Sequence, residues 1–146
     1  MWRWIAVPAM VVLLSGCAQK AVFETLTDGS CSKAQSQLIG KHISGQIDAL
    51  AKEDWKLAYS FASAEFRAKV ELHQFIYIIG TQYSMLIKHQ SYQFDMCTIA
   101  GREIMQDVSV KSGTQVFTLT YTLSVKGLKL GIESATTTSS DNKLNV

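Results

Sequence analysis

The 146-residue chain carries 14 Lys and Arg against 12 Asp and Glu, a formal charge of +2, with 47% apolar and 18% charged residues. That balance describes a globular chain rather than a disordered one, and a leader plus tether leave about 110–120 residues, enough for one domain with a real core. The lysines are scattered from Lys20 to Lys143 with no block and no interleaved aromatics, so there is no basic stripe of the kind that holds a nucleic acid.

Residues 1–16 have the three parts of an export signal. Arg3 is the only charge before Lys20, an apolar run from Ile5 to Leu14 follows, and Leu14-Ser15-Gly16-Cys17 offers small residues to a peptidase. The run is about half the ~20 residues that a helix needs to cross the hydrocarbon core. These residues resemble the bacterial lipobox, which implies cleavage before Cys17, a lipid on its sulfur and, in Gram-negative bacteria, an acylated amino group. Several acyl chains make a durable anchor where one binds marginally. Ala18 rather than Asp follows the cysteine, and in enteric-type lipoproteins that pattern implies the periplasmic face of the outer membrane. Residues 17–33 then read as a lipidated tether, with Asp28-Gly29-Ser30 turn-like, and residues 34–146 as a single domain.

Setting Cys17 aside leaves Cys31 and Cys97, an even pair in a compartment that permits disulfides. A bridge would close a loop of about 66 residues and contribute about 4 kcal/mol in the chain-entropy account. Two separate thiols, one of them buried, is the alternative, and the sequence leaves both open. Neither cysteine has the partners of a zinc site.

From Ala34 the period is helical: Ile39, Ile43, Ile47, Leu50 and Ala51 share a face. Gly40 and Gly45 each weaken this helix by up to about 1 kcal/mol relative to alanine, and small residues there let a neighbour approach. Asp54 is placed to cap a second helix carrying Trp55, Ala58, Tyr59 and Ala62. Ser63 caps a short turn with Phe66 and Val70. Leu72, Phe75, Ile76 and Ile79 form another stripe, with Gly80 as its expected stop. Three or four helices result.

The period then changes to two. Tyr92, Phe94 and Met96 alternate with Gln93, Asp95 and Cys97. Ile104 to Val110 forms a second strand, and Lys111-Ser112-Gly113 a turn. Phe117, Leu119, Tyr121, Leu123 and Val125 face one way, with Thr118, Thr120, Thr122 and Ser124 opposite. Lys126-Gly127 makes a hairpin into Leu128, Leu130 and Ile132, and the strand runs through the threonines to Asp141-Asn142. Helices followed by an antiparallel meander predict an α+β domain in which the helices cover the sheet's apolar face.

The run Gln46-Ile47-Asp48-Ala49-Leu50-Ala51-Lys52-Glu53-Asp54-Trp55, followed by Ala58-Tyr59-Ser60-Phe61-Ala62-Ser63, resembles small bacterial domains in the superfamily of nuclear transport factor two and SnoaL-type proteins. The resemblance implies N-terminal helices packed on a curved antiparallel sheet, a SnoaL-like or cystatin-like cone. One departure stands out: Asp141 to Val146 reaches only the opening of the usual last strand, with Leu144 where an aromatic residue often sits.

Members of that superfamily range from isomerases to non-catalytic scaffolds, so the likeness assigns no function. Its enzymes use an Asp base with Tyr or acid donors in the cone; the candidates here are Asp95, Asp107, Tyr59, Tyr83 and His73, and no pattern singles one out. No Gly-rich phosphate loop or Gly-x-Ser-x-Gly elbow occurs, and His42, His73 and His89 are far apart, so neither cofactor nor metal is expected. Two expectations follow. The first is a membrane-anchored, non-catalytic envelope lipoprotein that binds a protein partner or a small apolar ligand. The alternative is a small isomerase- or hydratase-like enzyme acting on a hydrophobic substrate, which requires Asp95 or Asp107 to point into the cone beside a Tyr.

Overall fold

The structure, a computed structural model, describes residues 22–138. The leader, Cys17 and the final alternation with Leu144 lie outside the described residues. The domain is α+β: helices come first, and a five-stranded antiparallel sheet that does not close on itself follows in the order β1-β2-β3-β4-β5.

The segment from Val22 belongs to the folded unit and is not a free tether. Phe23 is buried in the core, and β1 (Gly29–Ser30) pairs with the far end of β2. A lone aromatic in a segment without a period gave no sign of this. Ser32 opens α1 (Lys33–Ala51) with a capping box: its hydroxyl accepts from the Gln35 N–H at 3.1 Å, and the Gln35 side chain accepts from the Ser32 N–H at 2.8 Å. Ile39, Ile43, Ile47 and Leu50 are buried as their spacing requires. The two glycines let neighbours in: a Cβ at Gly45 would overlap the Phe61 ring, and one at Gly40 would touch Phe94.

Glu53 ends α1 in the left-handed region, φ 54°, where glycine is the usual residue. The N–H groups of Glu53 and Asp54 donate to the carbonyls of Leu50 and Ala49. Asp54 caps α2 (Trp55–Ser60), and Ser63 caps α3 (Ala64–Lys69). α4 (Leu72–Gln82) runs through Gly80, which sits on its exposed side, and stops at Tyr83 instead. One more turn, α5 (Ser84–Ile87), buries Leu86.

β2 (Ser91–Ala100), β3 (Glu103–Ser112), β4 (Gln115–Lys126) and β5 (Lys129–Thr138) form the meander. The strict alternation expected along β2 breaks at a bulge between Phe94 and Cys97, where the register with β3 shifts. Tyr92 and Phe94 lean toward the helices before it. After it the parity flips, so Cys97 and Ile99 face inward while Met96 lies exposed. Gln106, buried on β3, donates its amide to the Met96 carbonyl at 3.2 Å and the Asp95 carbonyl at 3.4 Å, tending the bulge from within. Leu128 occupies the β4–β5 turn, exposed, instead of joining the inner stripe of β5.

The sheet's inner face (Ile99, Ile104, Val108, Val110, Leu119, Tyr121, Leu123, Val125 and Ile132) packs against the buried faces of α1, α2, α4 and α5. A second bulge, between Thr122 and Leu123, sets aside Glu133 on β5. The free edge of β5 is partly covered by the α2–α3 link. The Ile132 N–H donates to the Phe61 carbonyl, and the Ser63 N–H donates to that of Ile132. Gly131 makes this approach possible, since a Cβ there would lie 2.7 Å from the Ser63 Cα.

Candidate binding cavity

Where α4 leaves the sheet, a cavity of about 160 Å³ opens between Phe66, Phe75 and Ile79 on the helical side and Tyr121, Ile132 and Ala135 on the sheet. Its wall is mostly hydrocarbon, with Gln46, Tyr83, Glu133 and Ser134 as the polar residues of the lining. Glu133 accepts from the Ser124 hydroxyl, and Gln46 and Tyr83 also have partners. Gln46 donates its side-chain amide to the Ala58 carbonyl at 3.3 Å, and the Tyr83 hydroxyl donates to the Ala135 carbonyl.

Tyr121 does not. Its ring belongs to the inner stripe of β4 and is fully buried, yet its hydroxyl has no hydrogen-bond partner among the described residues. Burial raises its pKa far above the ordinary phenol value, with Tyr83 and Tyr92 adding to the shift, so the group stays a neutral O–H donor. A buried polar group without a partner is uncommon in folded proteins, and leaving one costs about 1–3 kcal/mol. The alternation Phe117 to Val125 places Tyr121 in the core. The signal it carried was the hydroxyl, which Leu119 and Leu123 lack.

The other candidates go elsewhere. Tyr59 donates to the Val70 carbonyl at 2.6 Å and so ties α2 to the end of α3. Asp95 is exposed beside the bulge, accepting from Ser109 and Gln93. Asp107 lies on the face of β3 turned away from the helices, accepting from Thr120 at 2.6 Å. Neither carboxylate stands in the cavity beside a tyrosine, so the juxtaposition required by the isomerase- or hydratase-like alternative is not formed by these residues. His73 is exposed next to Glu71, at 3.3 Å. His42 is half-buried, and its Nε2 donates to the Phe61 carbonyl at 2.9 Å. Burial lowers its pKa, and the bond to that carbonyl offsets the shift in part. Among the described residues no three His, Cys, Asp or Glu side chains gather as metal ligands, and no helix is long and apolar enough to cross a membrane.

Cys31 and Cys97 are joined in a disulfide, with Cα atoms 5.4 Å apart. The Cys31 N–H donates to the Cys97 carbonyl at 3.1 Å. The β2 bulge makes this possible, because it turns Cys97 inward toward the start of α1. The bridge thus pins the N-terminal segment to the sheet.

A second, more open cleft of about 540 Å³ lies at the other side of α1, between Leu38, Lys41 and His42 and the β4–β5 hairpin at Leu128, Lys129 and Leu130. Residues 32–140 match a family described as a domain of unknown function, DUF4864. Comparison with curated proteins and with solved structures finds no match.

Proposed function

The chain belongs to the DUF4864 family, and we propose that it is a lipid-anchored envelope lipoprotein whose domain binds a small, largely apolar ligand without transforming it. One observation carries the binding half of this reading: Tyr121, whose fully buried hydroxyl has no partner among the described residues, is one of the residues lining a mostly apolar cavity. A short apolar molecule with one carbonyl or ether oxygen supplies what Tyr121 lacks. Its alkyl part would rest against Phe66, Phe75 and Ile79. At about 160 Å³, the space is below the roughly 300–1,000 Å³ of sites for drug-sized molecules, so the ligand is small.

The anchoring half rests on Leu14-Ser15-Gly16-Cys17 and the short apolar run before it, with the periplasmic face of the outer membrane as the proposed address. The absence of a carboxylate beside Tyr121 or Tyr83 among the cavity residues other than Glu133, which bonds Ser124 on the outer side of the sheet, favours holding a ligand over proton transfer. An antiparallel sheet packed against helices is also what the SnoaL-type resemblance leads one to expect, although the sheet here is open.

The test is a titration of the mature chain with medium-chain aliphatic ketones and with alkanes of matched length, followed by amide chemical shifts. Saturable shifts at Ala62, Phe75 and Ala135, about tenfold tighter for the ketone than the alkane in keeping with one hydrogen bond, support the reading. A Tyr121→Phe chain should lose that preference. Shifts spread over the whole surface, or no preference for the ketone, would overturn it.

A further inference from the structure

The antiparallel meander puts the β2–β3 turn (Gly101, Arg102) and the β4–β5 turn (Gly127, Leu128) at one end of the sheet. The N-terminal segment is fastened at that same end. The Gly101 N–H donates to the Asp28 carboxylate at 2.8 Å, the Val22 carbonyl accepts from the Gln35 side chain at 3.2 Å, and buried Phe23 lines the same two clefts as Leu128. Between Cys17 and Val22 there are four residues, and the five steps from one to the other span at most about 18 Å when fully extended. A lipid on Cys17 therefore holds this end of the domain, and no other, near the bilayer.

The surface presented there has the chemistry for that neighbour. Leu128 is 55% exposed at the tip of a turn, where Gly127 takes the left-handed conformation, φ 64°, and polar residues are the usual occupants. It stands between Lys126 and Lys129. Beside it, the cleft toward α1 is walled by Leu38, Phe61 and Leu130 and rimmed by Lys41, His42 and Lys129, with no carboxylate among its lining residues. On the far side of Leu128 the lining includes Arg102 and Glu24. Two of the acidic groups near this end are engaged, Asp28 with Gly101 and Glu65 with Lys126. An apolar tip flanked by cations is the arrangement that sits at a bilayer interface, with hydrocarbon below the headgroups and ammonium groups at the phosphates.

We propose that this end docks against the bilayer, with Leu128 reaching the acyl chains and Lys41 and Lys129 at the phosphates of anionic phospholipids. The proposal rests on lipidation of Cys17. Docked this way, the domain has a fixed orientation on the membrane instead of swinging on its tether.

With Cys17 acylated and Cys31 bridged to Cys97, a single added cysteine is the only free thiol. The experiment places one at Leu128→Cys and, as the control at the opposite end, at Thr114→Cys in the exposed β3–β4 turn. Each full-length chain is produced in cells, labelled with a polarity-sensitive fluorophore, and reconstituted into vesicles of phosphatidylethanolamine and phosphatidylglycerol, some carrying an acyl-chain quencher. Flotation with the vesicles together with several-fold stronger quenching at position 128 than at 114 supports docking. Replacing Lys41 and Lys129 by Glu should abolish that difference while flotation persists. Flotation with equal or no quenching at the two positions overturns docking and leaves the anchor standing. Failure to float overturns the anchor and the docking with it.

Discussion

Replacing Tyr121 by Phe removes one oxygen from the centre of the fold, and most such deletions destabilise. Here the opposite is expected. The hydroxyl is fully buried and unpartnered, so its removal relieves a desolvation cost of about 1–3 kcal/mol. Tyr121 lines a cavity, and the space its oxygen vacates adds only a few tenths of a kcal/mol at about 24 cal/mol per Å³. The net change for the ligand-free domain is stabilisation by about 1–2 kcal/mol. With a urea m-value of about 1–3 kcal/mol/M, the midpoint should rise by roughly 0.3–2 M with the slope unchanged. A saturating ketone should stabilise the wild-type chain further and the variant much less, so the two denaturation curves approach each other. That crossing of stability against binding is the signature of a polar group kept for a ligand. A Tyr121→Phe chain destabilised by about 1 kcal/mol or more would show that the hydroxyl has a standing partner, and a polar group kept for a ligand would then be refuted.

Four other outcomes follow from the geometry. Reducing the Cys31–Cys97 bridge, or replacing both cysteines by Ser, releases a loop with a sequence separation of 66 and should cost about 4 kcal/mol, read as a lower urea midpoint. Glu53→Gly puts the preferred residue in the left-handed position that ends α1 and should stabilise by about 0.5–1 kcal/mol; a loss in thermal denaturation would contradict this. Gly131→Ala drives a methyl into the Ser63 backbone and should cost about 1–3 kcal/mol, with faster amide exchange at Ser63 and Ile132 as the local readout. Because burial holds the His42 pKa below its ordinary value, the unfolded chain binds more protons there than the folded one. That contribution to stability is complete above the unfolded value near 6.5 and is lost as pH falls toward the lower folded value. The urea midpoint should therefore drop between neutral pH and pH about 5.5, and His42→Gln should flatten the drop.

Legibility followed the strength of the local pattern. The helical stripe through Ile39, Ile43, Ile47 and Leu50, the caps at Asp54 and Ser63, and the alternation of β4 were readable because each depends on near neighbours in sequence. Gly45 was readable as a place of close approach, though not that Phe61 would fill it. What the pattern hid was set by distant partners. The β2 bulge depends on Gln106 across the ladder, and without it the parity of Cys97 comes out reversed. β1 exists only because β2 is there to pair with it, so the Val22–Ser32 segment read as tether. The glycine at position 80 looked like a stop, but its exposed place on α4 costs too little to end a helix whose Phe75 and Ile79 are buried. The cavity was the least legible feature. Its residues come from five stretches of chain, and the one that marks it, Tyr121, looks from its spacing like any other core aromatic.

The most direct test of the anchored binding domain is the intact mass of the protein extracted from membranes, before and after reduction. The expected species begins at Cys17 and carries acyl groups, with a gain of about two daltons when the Cys31–Cys97 bridge is reduced. A mass without lipid, or a chain that still carries residues 1–16, would contradict the anchor and leave the domain with no tie to the bilayer through Cys17.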